Sequence, residues 1–299
     1  MKQKYIYMLL IITLVYTSCY KEDFSDCPIL LHVYFESVME KYRYEDIVDE
    51  MDLYLYDENH RLVQQQHFTV DQLRETDYNA ILSVERFGKY TLSSVLNVGQ
   101  SYIVFGTDNL DNLNINIKAQ KGDTVNRQPS DVYYSFKDIR VQDVGSCVQY
   151  DTLALYKNTN HINVDISFEG GWPDNIKLHG YLKGNNGGFD YKNRTLVSSL
   201  RVYLPYKRQT TGQYHELMNF TTMQILRGSD LTLYIDAEYN GTREQKYELD
   251  IYQYLAKIYT DEELEQEDEF DIKIVLSSDY TIFELVINDW YLIRQGTEV

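Results

Sequence analysis

Proline is scarce in this chain, four residues in 299. With 43% hydrophobic residues and 29 tyrosines, that scarcity excludes a disordered chain and favours packed strands. Basic side chains are in deficit: 28 against 46 acidic ones leave a net charge of −18, and losing Lys2 and Lys4 with a cleaved leader makes it −20. Such a surface repels phosphate backbones and anionic headgroups. Nucleic acid is therefore not an expected partner, and a basic patch cannot be what holds the chain on a membrane. Catalytic signatures are missing too. No nucleophile elbow, P-loop, dinucleotide glycine fingerprint or zinc-helix pair occurs. The six histidines, His32, His60, His67, His161, His179 and His215, are scattered. The acidic run Asp261–Asp271 lacks the ligand spacing and glycine of a calcium loop, and reads as a solvated helix face. No catalytic residue, metal ligand or cofactor site is assigned, and the chain is not expected to be an enzyme.

What is present begins with the leader. Lys2 and Lys4 precede an apolar run from Tyr5 to Val15, followed by Thr17, Ser18 and Cys19, the layout of a secretory signal. The run is too short for a membrane span of ~20 residues. A cysteine at the cut makes a lipoprotein signal the better reading, with residues 1–18 removed and Cys19 acylated. Tyr16 departs from the usual leucine-like aliphatic three residues before the cysteine. At ~0.8 kcal/mol per buried methylene, two or more acyl chains give stable attachment. Lys21, Glu22 and Asp23 follow, and a lysine with two acids beside the lipid cysteine resembles the export signal of surface lipoproteins in Bacteroidetes. Cys27 and Cys147 remain. In an exported protein they permit one disulfide, which would close a loop of ~120 residues and contribute about 5 kcal/mol in the chain-entropy model; two free thiols are the alternative.

From residue 29 onward apolar and polar residues alternate with the period of half-buried strands. Ile29, Leu31, Val33 and Phe35 oppose His32, Tyr34 and Glu36; Met51, Leu53 and Leu55 oppose Asp52, Tyr54 and Tyr56, and Asp57–His60 turns the chain into Arg61–Phe68 as an antiparallel partner. The polar stretch Lys157–Asn160 interrupts the pattern, which restarts at Ile162. The spacing predicts a short lipidated leader (19–28) and two consecutive antiparallel β-sandwich domains, 29–157 and 158–299, with little helix. One helix is expected around Ile251, Leu255 and Ile258, and a second behind the capping box Thr260/Glu263. Strands Phe270–Leu276 and Thr281–Ile287 lead to Asn288-Asp289-Trp290 and a nine-residue tail. Trp290 is expected in the core. Trp172, in the turn Gly170–Pro173, is the one candidate for an exposed glycan-binding platform.

The head CYKEDFSDCP (19–28), the strand MDLYLYDEN (51–59), the segment KNTNHI (157–162), YELDIYQYL (247–255) and VINDW (286–290) together resemble the FimB-type anchor subunits of Bacteroidales type V fimbriae. The segment 98–106 lacks the tryptophan common in that family. The resemblance implies two tandem transthyretin-like domains, tethered by lipid to the outer membrane at the cell surface, at the base of a fimbrium whose length they limit. It also implies strand complementation with a stalk subunit. On that reading the chain keeps Ile29–Glu36 and contributes Tyr291–Val299, with Tyr291, Leu292, Ile293 and Arg294 foremost, to the last stalk subunit. A surface glycan-binding lipoprotein and an accessory or tip subunit are the alternatives.

Overall fold

The computed structural model describes residues 28–142, 146–196, 199–211 and 215–294. Ten strands precede Asn158: β1 (Ile29–Ser37), β2 (Glu50–Asp57), β3 (Leu62–Thr69), β4 (Ala80–Val84), β5 (Gly88–Leu96), β6 (Tyr102–Phe105), β7 (Asn114–Ile117), β8 (Thr124–Val125), β9 (Tyr133–Val141) and β10 (Val148–Lys157). Alternation places them as expected: Ile29, Leu31, Val33 and Phe35 are buried, while Leu30, Tyr34 and Glu36 are exposed. β1 lies between β10 and β4, and β3-β2-β5-β9 form the facing layer. β10 joins the layers, because only Tyr156 and Lys157 at its end pair with β9. Between them pack Leu31, Val33, Leu53, Leu55, Leu82, Leu92, Leu153 and Leu155.

The expected hairpin forms, with Met51 opposite Phe68 and Leu53 opposite Gln66. Asp57 Oδ1 accepts from the backbone N–H groups of Asn59 and Arg61 at 2.8 and 2.9 Å, so the side chain makes the turn. A helix the sequence reading missed, Val70–Glu75, sits behind a capping box of Thr69 and Gln72.

Eleven strands follow: β11 (Thr159–Phe168), β12 (Ile176–Gly184), β13 (Gly188–Asp190), β14 (Arg201–Tyr203), β15 (Lys207–Thr211), β16 (His215–Met223), β17 (Thr232–Tyr239), β18 (Thr242–Asp250), β19 (Glu269–Leu276), β20 (Ile282–Ile287) and β21 (Trp290–Arg294). One sheet runs β15-β16-β11-β19-β20-β21 and the other β18-β17-β12-β14-β8. Ile162, Val164, Phe220, Ile272 and Ile274 from the first pack with Leu178, Leu182, Leu233 and Ile235 from the second. The two expected helices are present, Ile251–Ile258 capped by Asp250 and Asp261–Gln266 behind the Thr260/Glu263 box.

Three details depart from the sequence reading. The sheets are not uniformly antiparallel: β1 with β10, β11 with β19 and β14 with β8 are parallel. Period-two alternation carries no strand direction, and in each half the first strand returns beside a late one. Tyr54 and Tyr56 do not face water. They join Val95 and Tyr134 in the core of the second half, so the β2-β5-β9 layer is covered on both faces. Finally, β7 pairs with β13 and β8 with β14, so strands from before and after Asn158 share two sheets.

Candidate functional site

The expected residues fall at three places: the start of the described chain, its midpoint and its end. Cys19, Lys21, Glu22, Asp23 and Cys27 lie outside the described residues. The described chain enters at Pro28 and passes straight into the middle of a sheet. Leu30 donates its N–H to the carbonyl of Cys147 at 2.7 Å, which places Cys147 at the start of β1. Cys147 is disulfide-bonded.

At the midpoint, a polar boundary segment ought to be wet. Instead Lys157, Asn158, Thr159 and Asn160 are all buried, because β10 and β11 are separated by one residue and both halves close over it. Burial of an ammonium needs partners, and Lys157 Nζ has two, Asp131 Oδ2 at 2.9 Å and Asp268 Oδ2 at 2.7 Å. Asp268 also takes Lys41 and, at 2.6 Å, the Tyr42 hydroxyl. Asp131 accepts from Thr159 Oγ1 at 2.9 Å and faces His161 Nε2 at 3.0 Å. Asn160 spans further, donating to the Glu267 carbonyl and accepting from Ile225 N–H. Burial pushes the Asp131 carboxyl up, but the His161 contact and the Lys157 charge outweigh it and bring it down to about 2. Asp268, likewise opposed by burial, is held low by Lys157, Lys41 and Tyr42. Two cations face two carboxylates across the junction, an arrangement suited to fixing two halves rather than to proton transfer. Sequence reading found the segment but not the node; the signal available was a lysine in a stretch with no other charge.

At the exit, Asn288 and Asp289 both have positive φ, 45° and 68°, the requirement of a type I′ hairpin. Asn288 fastens the turn by accepting from Asp271 N–H at 2.7 Å and donating to Tyr259 Oη and the Glu269 carbonyl. The expected tail is therefore in part a strand: Tyr291, Leu292, Ile293 and Arg294 belong to β21, paired antiparallel with β20. Leu292 and Ile293 are half-buried against the core, while Tyr291 is exposed with the Arg294 guanidinium 5.8 Å from its ring centre. Trp290 is 59% exposed, which corrects its expected core placement; it opens an edge strand just past a surface turn. β21 ends its sheet. The edge strands β15 (KRQTT) and β18 (TREQKYELD) carry the charged residues that blunt edges; β21 (WYLIR) is mostly apolar.

Trp172 forms no flat platform. It is half-buried, packs edge-to-face on Phe168 at 5.1 Å and donates Nε1–H to the Ile176 carbonyl. Five of the six histidines hydrogen-bond to or pair with neighbours on strands and turns, and His32 stacks loosely on Tyr150. Among the described residues no group of His, Cys, Asp and Glu could hold a metal ion.

Solved structures share this fold. The fimbrial anchor protein Mfa2 from Porphyromonas gingivalis matches with a TM-score of 0.73 at 20% identity, over 90% of this chain and 100% of that one. A protein described as putatively polysaccharide-binding from Bacteroides thetaiotaomicron matches with 0.73 at 20% identity, over 90% and 99%. A protein described as a putative adhesin from Bacteroides ovatus matches with 0.72 at 16% identity, over 91% and 96%. Among curated proteins, none matches. Residues 24–296 match the model of the fimbrillin-A associated anchor proteins Mfa1 and Mfa2, a family of fimbrial anchors and not of enzymes. With the match running from ahead of β1 to past β21, the chain belongs to the fimbrillin-A associated anchor protein family.

Proposed function

We propose that the protein is an outer-membrane lipoprotein, acylated at Cys19, that holds the base of a fimbrium at the cell surface and ends its growth by strand complementation with the stalk subunit. The observation that carries this is the position of β1, seated between β10 and β4. A subunit that polymerises by accepting a strand needs an open groove. Here the chain's own first strand fills that place, and cutting after it would leave the body joined to its lipid only through the disulfide of Cys147. At the other end β21 is short, with Trp290 and Tyr291 exposed, and among the described residues is paired only with β20, so it is the segment available to the stalk. The paired Tyr291–Arg294 must then leave β20 or present its outer edge. Cys27 is the proposed partner of Cys147, since it lies three residues before Leu30 in sequence.

Intact-mass and N-terminal peptide analysis of protein from outer membranes tests the tether. An acylated Cys19 on an unclipped chain is expected; a free N-terminus beyond β1 would mean a polymerising or tip subunit. Deleting Tyr291–Val299 should abolish stalk retention while the protein stays lipidated and folded, and unaltered retention would sink the donor role.

A further inference from the structure

We propose that this fold is built to carry tension between its two ends, with a pair of parallel strands in the second half loaded in shear, and an equivalent pair in the first half that takes the load when the disulfide of Cys147 is open. The proposal rests on the anchor reading only for where the pull is applied.

In the first half β1 and β10 run parallel from Leu30↔Val148 to Ser37↔Leu155. A pull on the chain before Ile29 acts at the start of β1 and points backward along it. The opposing pull leaves through Lys157, at the end of β10, and points forward. Two parallel strands drawn apart from opposite ends slide along their ladder, so its hydrogen bonds strain together and fail together. Strands pulled apart from the same end would instead open one bond at a time, at lower force.

The second half repeats the arrangement. β11 starts at Thr159, just past Lys157, and runs parallel to β19 from His161↔Glu269 to Phe168↔Leu276. β20 reverses direction and β21 reverses again, so a pull at Arg294 points forward along β19 and reaches it through the β20–β21 and β19–β20 pairings. Backbone bonds close both ladders at equivalent ends: Leu30 N to Cys147 O and Val38 N to Leu155 O in one, His161 N to Asp268 O and Glu169 N to Leu276 O in the other. Leu31, Val33, Leu153 and Leu155 cover the first ladder, and Ile162, Val164, Ile272 and Ile274 the second, each at most 1% exposed. Water is thus kept from competing for the strained bonds. Between the ladders, where tension crosses from one half to the other, lies the buried Lys157 node.

The disulfide of Cys147 adds a second route. With Cys27 as partner, tension would cross the sulfurs and continue along β10, relieving the β1–β10 ladder and leaving residues 28–146 unstretched, ~120 residues or roughly 400 Å of chain; that ladder takes the load once the disulfide is reduced.

The test is single-molecule pulling of the full chain carrying Cys19→Ala in oxidised form, comparing two directions. Handles at the two chain ends load the β11–β19 ladder in shear; handles on Glu169→Cys and Ser277→Cys, beside each other past the ends of β11 and β19, peel the same pair open. The expected result is an end-to-end rupture force several times the peeling force, and equal forces would overturn the proposal. Adding reductant should lengthen the end-to-end extension by the chain released between residues 28 and 146; an unchanged extension would overturn the route through the sulfurs. Release of fimbriae from cells bearing Cys19→Ala tests the anchor reading separately, because rupture forces do not depend on lipid or stalk.

Discussion

Lys157 shows what a single residue decides here. Its side chain is 1% exposed between two carboxylates, so Lys157→Ala leaves Asp268 buried without its main partner. A loss of about 3–5 kcal/mol is expected, since breaking a buried pair costs more than the pair contributes; a denaturant titration with an unchanged midpoint would contradict it. Asp131 supplies the pH dependence. Its folded pKa, about 2, lies below the ordinary 3.8, so the stabilisation it provides is complete above 3.8 and is lost as pH falls toward 2. Asp131→Asn should flatten the melting temperature across that window while lowering it at neutral pH. At this scale the sequence was informative about periodicity and silent about partners: Asp131 and Asp268 are 137 positions apart, and nothing local pairs them.

Among the elements, β21 is where local and tertiary information meet. Asn288-Asp289 marked a turn in the sequence, yet the strand beyond it read as a tail because Trp290–Arg294 shows no alternation and β20 alone pairs with it. Replacing Asp289, at φ 68°, with glycine relieves a left-handed conformation that costs an L-residue about 1–2 kcal/mol, offset by glycine's entropic cost of about 0.5–1 kcal/mol, and should stabilise the hairpin by up to about 1 kcal/mol. If β21 must detach to reach the stalk, Asp289→Gly should weaken stalk retention; if its outer edge is used in place, retention should hold or rise, and a pull-down with purified stalk subunit separates the two. Trp290→Ser and Tyr291→Ser, at exposed positions, should leave melting unchanged while reducing that binding. A coincident fall in melting temperature would instead assign both to packing. Elements with strong local signals, such as the capped helix Asp261–Gln266, were legible, whereas the short strand β8 acquires its identity only from β14 across the junction.

For the whole molecule, the shared core predicts cooperativity. Tyr54, Tyr56 and Tyr134 pack with residues of the second half, and two of the hydroxyls are used inside the fold: Tyr56 donates to the Thr107 carbonyl at 3.1 Å and Tyr134 to that of Tyr191. Calorimetry should therefore give one transition for both halves; two well-separated transitions would mean that the junction contributes little. The sequence by itself determined the β class and the family, because alternation and short motifs are local properties. Only the tertiary structure decided that β1 and β11 run parallel to late strands, that the polar midpoint is buried and that β7 and β8 share sheets with strands of the other half. Those outcomes depend on which distant strands meet, and the hydrophobic period of a strand is the same whichever neighbour covers it and whichever way that neighbour runs.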